Sequence, residues 1–264
     1  NEVAPCQHEL APIFATANIA TDHNELCMEM LKKVAERHGF VCLLHEKPFE
    51  GVNGSGKHNN WSISTDKGET LLDPGATPAD NAQFLLFLTA VIKAVDDYQD
   101  LLRISVASAG NDHRLGANEA PPAIVSIYVG DELSAVIDSL IHGSDYKASG
   151  KKQMDIGVSV LPPIPQDNSD RNRTSPFAFT GNKFEFRMPG AAQNIAMPNI
   201  VLNTAVAKSF CEYANRLENA ADFDAELHGL LSGKMAEAQQ NPAERTLLQR
   251  FGECLDMLQT MPEA

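Results

Sequence analysis

The stretch Gly51-Val-Asn-Gly-Ser-Gly-Lys-His58, set between Leu43-Leu-His-Glu-Lys-Pro-Phe-Glu50 and Asn59-Asn-Trp-Ser-Ile-Ser-Thr65, decides how the rest of the chain is read. It has the glycine and lysine spacing of a phosphate-binding loop, but His58 stands where that loop needs Ser or Thr. Such a loop works by leaving a buried strand and opening into a helix whose N-terminal amides cradle phosphate. Neither flank complies. Upstream, Glu46, Lys47, Pro48 and Glu50 interrupt any buried strand, and downstream Trp61, Ile63 and Thr65 alternate with Asn60, Ser62 and Ser64 at strand period. An imidazole is also a poor substitute for the hydroxyl that holds magnesium in that cage. What remains is a glycine-rich connection between extended segments, either a plain hairpin turn or a device for some other ligand.

Working outward, residues 21–38 predict a helix with Thr21 as N-cap, Leu26, Met30, Leu31 and Val34 on one face, and Gly39 as its stop. Val41 to Glu46 predicts a short strand, and the turn-rich residues 71–80 lead into a long apolar helix from about Asn81 to Tyr98. Residues 105–123 read as loop, Asp131 to His142 as a short amphipathic helix, and 154–165 as extended. Around Phe184 and Phe186 the alternation places Lys183, Glu185 and Arg187 on one face of a strand, a candidate site wall. From Asn199 to Leu217 the pattern is helical, and Ala221 to Met261 predicts a helical hairpin broken at Asn241-Pro242. Short strands and separate helices give an α+β class with an antiparallel sheet.

At 264 residues and 43% hydrophobic, the chain can bury a substantial core. A formal charge of −14, with basic residues scattered, disfavours nucleic acid and acidic membrane surfaces and favours small-molecule or protein partners. Five cysteines without CxxC spacing predict reduced thiols and a cytoplasmic setting. No apolar run approaches a membrane span. The chain opens without Met on Asn1-Glu-Val-Ala-Pro5 and is expected to be a piece of a longer polypeptide. In that opening, Glu2 and Glu9 lie on either side of Pro5; a bend there could bring both carboxylates, hard oxygen ligands suited to Mg²⁺ or Mn²⁺, to one pole, although two acids in so acidic a chain ordinarily read as solvated surface charge.

Five segments in order, Glu2 to Glu9, Asn53 to Ser62, Arg114 to Ala123, Asp170 to Ser175 and Lys183 to Arg187, resemble the catalytic domain of glutamine synthetases, most closely the large type III bacterial class. The likeness covers roughly residues 1–218 and leaves 219–264 as a helical tail. It implies the family's curved, mostly antiparallel sheet with flanking helices. It also implies a reaction in which ATP phosphorylates the γ-carboxylate of glutamate and ammonia displaces the phosphate, giving glutamine, ADP and phosphate. Such chemistry needs two or more divalent ions, Mg²⁺ or Mn²⁺, to counter charge on the triphosphate. By resemblance, Glu2 and Glu9 ligate one ion, and His58 with Glu185 another. Asn53 and the Gly54 backbone hold the amino-acid end of glutamate, and Arg114 and Arg187 meet its carboxylates or the acyl phosphate. Arg173, Lys183, Asn60 and Ser62 contact ATP. Glu119 matches a flap carboxylate that shields the intermediate and helps take a proton from ammonium.

The departures are specific. Ala178 falls where the common bacterial class has a phosphate-binding arginine, Asn60 replaces a His, Lys183 replaces an Arg, and the adenylylation tyrosine is absent near Pro198 and Asn199. The family's earlier Glu-x-Glu strand and its small N-terminal β-domain have no counterpart, so this chain alone is expected to be inactive, with a homo-oligomeric ring formed by the full-length protein. The alternatives are a γ-glutamyl ligase that uses an amine in place of ammonia, and a non-catalytic synthetase-like assembly module.

Overall fold

The structure, a computed structural model, describes residues 4–117, 120–144, 146, 153–154, 164–165 and 175–240. The first helix, α1 (Ala17–Arg37), starts four residues before the predicted Thr21 cap. Thr21 lies inside it and donates its hydroxyl to the Ala17 carbonyl at 2.7 Å. No residue of α1 is buried, and its apolar stripe of Leu26, Met30, Leu31 and Val34 faces outward. The strand expected at 41–46 does not form. Its end closes a loop instead, the Glu46 carbonyl accepting from the Ser55 N–H at 2.7 Å.

The core is built around α2 (Ala82–Asp97), whose N-cap Asn81 accepts from the Phe84 N–H at 3.0 Å. Leu85, Leu88, Val91, Ile92 and Val95 recur at helical spacing and are buried, each such side chain contributing about 1.5–3 kcal/mol on transfer from water. Two short helices follow, α3 (Gln99–Ser105) and α4 (Ala109–Arg114), the second of them inside the stretch predicted as loop. Then comes α5 (Asp131–His142), ended by Gly143 in the left-handed conformation at φ 62°. Helices α6 (Ala196–Glu218) and α7 (Phe223–Gln240) pack on α2. Lys234 of α7 reaches Asp96 and Asp97 of α2, each at 2.8 Å. Residues 241–264, with the predicted break at Asn241-Pro242, lie outside the described residues.

The strands are β1 (Asn59–Trp61), β2 (Ile127–Tyr128), β3 (Gln153–Met154), β4 (Ile164–Pro165), β5 (Phe177–Phe179) and β6 (Phe184–Phe186). Four of them form one sheet in the order β1-β6-β5-β2, with β1–β6 and β5–β6 antiparallel and β2–β5 parallel; β3 and β4 pair separately. The expected curved sheet is therefore corrected to a small, open, mixed and mostly antiparallel one. Strands of two or three residues give twist and coil no length over which to accumulate into curvature.

Register sorts the two faces. Phe177, Phe179, Phe184 and Phe186 are buried toward the helices, and the Phe177 and Phe184 rings stack with centroids 4.7 Å apart. On the other face Asn60, Glu185, Ala178 and Tyr128 form a single row across all four strands. No helix among the described residues is long and apolar enough to cross a membrane.

Candidate active site

The row centred on Glu185 carries the site. His58 immediately precedes β1 and shares the face of Asn60, which pairs with Glu185. The His58 Nδ1 consequently lies 3.7 Å from Glu185 Oε2. Arg187, two residues on and on the same face, donates its Nε–H to that same oxygen at 3.0 Å. Arg187 is buried, with its side chain 4% exposed, whereas His58 and Glu185 remain open at 35% and 20%. A carboxylate is thus held from the protein side by a guanidinium and meets an imidazole on the solvent side.

The other sequence-derived residues distribute unevenly. Asn60 is exposed, with its Nδ2 donating to the His58 carbonyl at 3.4 Å. The Ser62 hydroxyl donates to the Asn182 carbonyl at 2.8 Å, next to half-buried Lys183 in the β5–β6 turn. Asn53 and Gly54 are half-buried in the glycine loop. Glu9 is exposed ahead of α1, and among the described residues no third His, Cys, Asp or Glu joins His58 and Glu185 in a metal-sized cluster. Glu2, Glu119 and Arg173 lie outside the described residues.

Arg114 turns inward. Its Nη1 donates to Asn111 Oδ1 at 3.0 Å and to the Met188 carbonyl at 3.1 Å, and its Nη2 donates to the Arg187 carbonyl at 3.0 Å. Burial pulls its guanidinium down to about 10, opposed by the Glu46 carboxylate, so it stays charged at neutral pH. Asn111, fully buried as the third residue of α4, adds a bond from Nδ2 to the Met188 carbonyl at 2.9 Å.

Sequence reasoning passed over three residues that serve this arrangement: Asn111, Glu46 and Lys57. The signal that could have found them is the glycines. A Cβ on Gly54 would lie 2.7 Å from Arg114 Cγ, one on Gly56 2.1 Å from Arg114 Nη2, and one on Gly190 2.3 Å from Glu46 Oε1. Gly190 has an ordinary φ, so close approach of side chains is what it accommodates.

His58 and Glu185 fit a hard divalent ion as two of its ligands, the kind of site in which Mg²⁺ or Mn²⁺ completes its shell with water and substrate phosphate oxygens. With Arg187 behind them, they are the kinds of side chain that a metal-assisted site for anionic substrates would use. Residues 1–137 match the family described as glutamine synthetase, catalytic domain, and the chain belongs to that family. It is 65% identical over 209 residues to the type-3 glutamine synthetase of Dictyostelium discoideum, covering 79% of this chain and 28% of that protein. The glutamine synthetase of Butyrivibrio fibrisolvens is 68% identical over 185 residues, covering 70% of this chain and 26% of the relative. That of Bacteroides fragilis (strain YCH46) is 53% identical over 216 residues, with 81% and 30% covered. The chain therefore spans less than a third of the length of these relatives.

Proposed function

We propose that this chain is part of an ATP-dependent glutamate–ammonia ligase, which joins ammonia to the γ-carboxylate of glutamate through a γ-glutamyl phosphate. The observation that carries the reading is the cluster of His58, Glu185 and Arg187 on one sheet face, reached from two separate stretches of chain. When bound there, Mg²⁺ or Mn²⁺ supplies charge neutralisation for the triphosphate and for the transferred phosphoryl group. The protein's part is positioning. Arg187 holds the Glu185 carboxylate through its Nε–H, aimed at the opening, and its guanidinium would counter the negative charge that grows as phosphate moves to the γ-carboxylate.

Asn53 and Gly54 hold the amino-acid end of glutamate in the glycine loop, and Asn60, Ser62 and Lys183 line the approach for ATP. Arg173 joins them at the nucleotide, Glu2 and Glu9 ligate a further ion, and Glu119 closes over the intermediate and draws a proton from ammonium. Arg114 serves by fixing the main chain that carries Arg187. A homo-oligomeric ring and a cytoplasmic setting complete the proposal; Cys6, Cys27, Cys42 and Cys211 are free thiols.

The test is phosphate release by the full-length protein with ATP, glutamate, ammonium and Mg²⁺ or Mn²⁺. Release must depend on both glutamate and ammonium and disappear in Glu185→Ala. Release that methylamine supports and ammonium does not would assign an amine-using γ-glutamyl ligase, and no release in either case would leave an assembly module.

A further inference from the structure

The segment 187–193, which leaves β6 directly behind Arg187, turns an unusual run of carbonyls inward. Arg114 takes those of Arg187 and Met188. The Lys57 backbone N–H donates to the Pro189 carbonyl at 2.8 Å. The Lys57 ammonium donates to the carbonyls of Ala191 at 2.5 Å, Gln193 at 2.7 Å and Gly190 at 3.3 Å. From the opposite side Glu46, only 4% exposed, accepts the Ala192 N–H on Oε1 at 3.0 Å. Room for that carboxylate exists because two neighbours are glycine: a Cβ on Gly190 would lie 2.3 Å from Oε1, and one on Gly110 2.9 Å from Oε2.

A plain structural lysine would put its ammonium in water and its stem on apolar surface. Lys57 does the reverse, filling its three donor positions with main-chain oxygens of one segment. A buried carboxylate is also costly unless cations stand near it, and Glu46 acts electrostatically on both Lys57 and Arg114. Lys57 is the residue before His58, and the 187–193 segment begins two residues after Glu185. The same contacts therefore fix both halves of the candidate metal site relative to each other.

We propose that Glu46 and Lys57 are positioning residues that clamp the 187–193 segment to the glycine loop and so set the separation and aim of His58, Glu185 and Arg187. This rests on the ligase reading for its kinetic consequence but not for its structural one. Outer-shell partners of metal ligands typically cost about 10–100-fold in metal affinity or activity when removed, and that range is expected for Lys57→Met. Lys57→Arg restores a cation with several donors and should recover most of the loss.

The experiment measures three things on full-length protein carrying Glu46→Gln, Lys57→Met or Lys57→Arg. These are amide hydrogen exchange at 187–193, Mn²⁺ affinity by calorimetric titration, and the kcat and KM values of the ligase assay. In the first two variants, exchange at 187–193 should quicken at least about tenfold while α2 keeps its protection, since local opening is energetically separate from global unfolding. Mn²⁺ affinity and kcat should fall together, with KM for glutamate changed far less than kcat. Wild-type exchange at 187–193 in folded Lys57→Met, or undiminished Mn²⁺ affinity, would overturn the clamp. Glu46→Gln conserves volume and an acceptor for the Ala192 N–H, so it carries the test if Lys57→Met loses protection in α2 as well. A wild-type protein without ligase activity would refute the ligase reading, while exchange and Mn²⁺ binding would still judge the clamp.

Discussion

Replacing Arg114 with Met removes a buried cation that donates to four acceptors, of which the Pro189 carbonyl keeps the Lys57 N–H. Met188 keeps a partner in Asn111 Nδ2, but the Arg187 carbonyl and Asn111 Oδ1 lose the donors that reach them at 3.0 Å. A buried polar group left unpaired costs about 1–3 kcal/mol. Glu46 also loses one of the two cations that compensate its burial, and breaking a buried charge pair costs about 3–5 kcal/mol. These terms overlap, because the same guanidinium serves both, so the pair figure is the better guide than the sum. For a cooperative unit of roughly 150–250 residues, about 3–5 kcal/mol lowers the melting temperature of the transition that contains this segment by roughly 2–4 °C per kcal/mol, hence roughly 6–20 °C. The methionine itself fits, since Gly54 and Gly56 leave space along the side chain. Arg114→Lys keeps the charge but not the fork, and should fall between. A calorimetric melt of the full-length protein decides it. An Arg114→Met protein that melts within about 2 °C of the wild type would show that the inward bonds of Arg114 add nothing net, and that its guanidinium is held for substrate instead.

Arg187→Ala should lower turnover by at least about a hundredfold, the scale for loss of one electrostatic stabiliser of a developing anion, and an unchanged kcat would remove Arg187 from the site. Glu185→Ala should abolish turnover and weaken Mn²⁺ binding in a calorimetric titration; full Mn²⁺ affinity would place the ion elsewhere. Across α2 and α7, burial pushes the Asp97 carboxyl up, but hydrogen bonds and charge from Lys234 and Lys93 outweigh it and hold it below the ordinary carboxylate range. The unfolded chain then binds the proton first as acid is added, so this stabilisation is complete above about pH 4 and is lost as pH falls through the folded value. Lys234→Met should accordingly flatten the acid limb of a urea-midpoint titration below about pH 4, and an unaltered limb would refute the assignment.

Parts of the fold were legible because one local rule was enough. The Asp131–His142 helix has its period, its acidic first turn and its terminal glycine in sequence, and the structure returns the same bounds. The alternation around Phe184 likewise separates a buried aromatic face from the face of Glu185. Other parts depend on partners far along the chain. Val41 to Glu46 has strand-forming composition but no strand to pair with among the described residues, so the carbonyl of Glu46 closes a turn. Arg114 reads as an anion-binding side chain because arginine usually is one. Only the tertiary arrangement shows carbonyls 187 and 188 waiting for it. Helix α4 was hidden for a third reason: it is barely more than one turn, started by the Ser108 hydroxyl accepting the Asn111 N–H at 3.2 Å, too short for periodicity to register.

The proposed site has to handle anions in a chain whose formal charge is −14, and local charge is what would allow it. Among the described residues the acidic side chains are largely exposed, where water and salt screen them within about 10 Å. Around the glycine loop and β6 the balance reverses, with Lys57, Arg114 and Arg187 gathered against Glu46 and Glu185. Those groups are buried or half-buried, so their fields are screened far less than the surface charges. Glu46 is committed to the Ala192 amide and cannot swing out to oppose an incoming anion. Glu185, by contrast, faces the opening, where a divalent ion would cancel its charge and add its own. On the proposed reading, metal binding should convert this face from weakly to strongly anion-attracting, so that ATP affinity is expected to depend on the ion, while Mn²⁺ affinity at this position is expected to depend on His58, Glu185 and the segment that holds them.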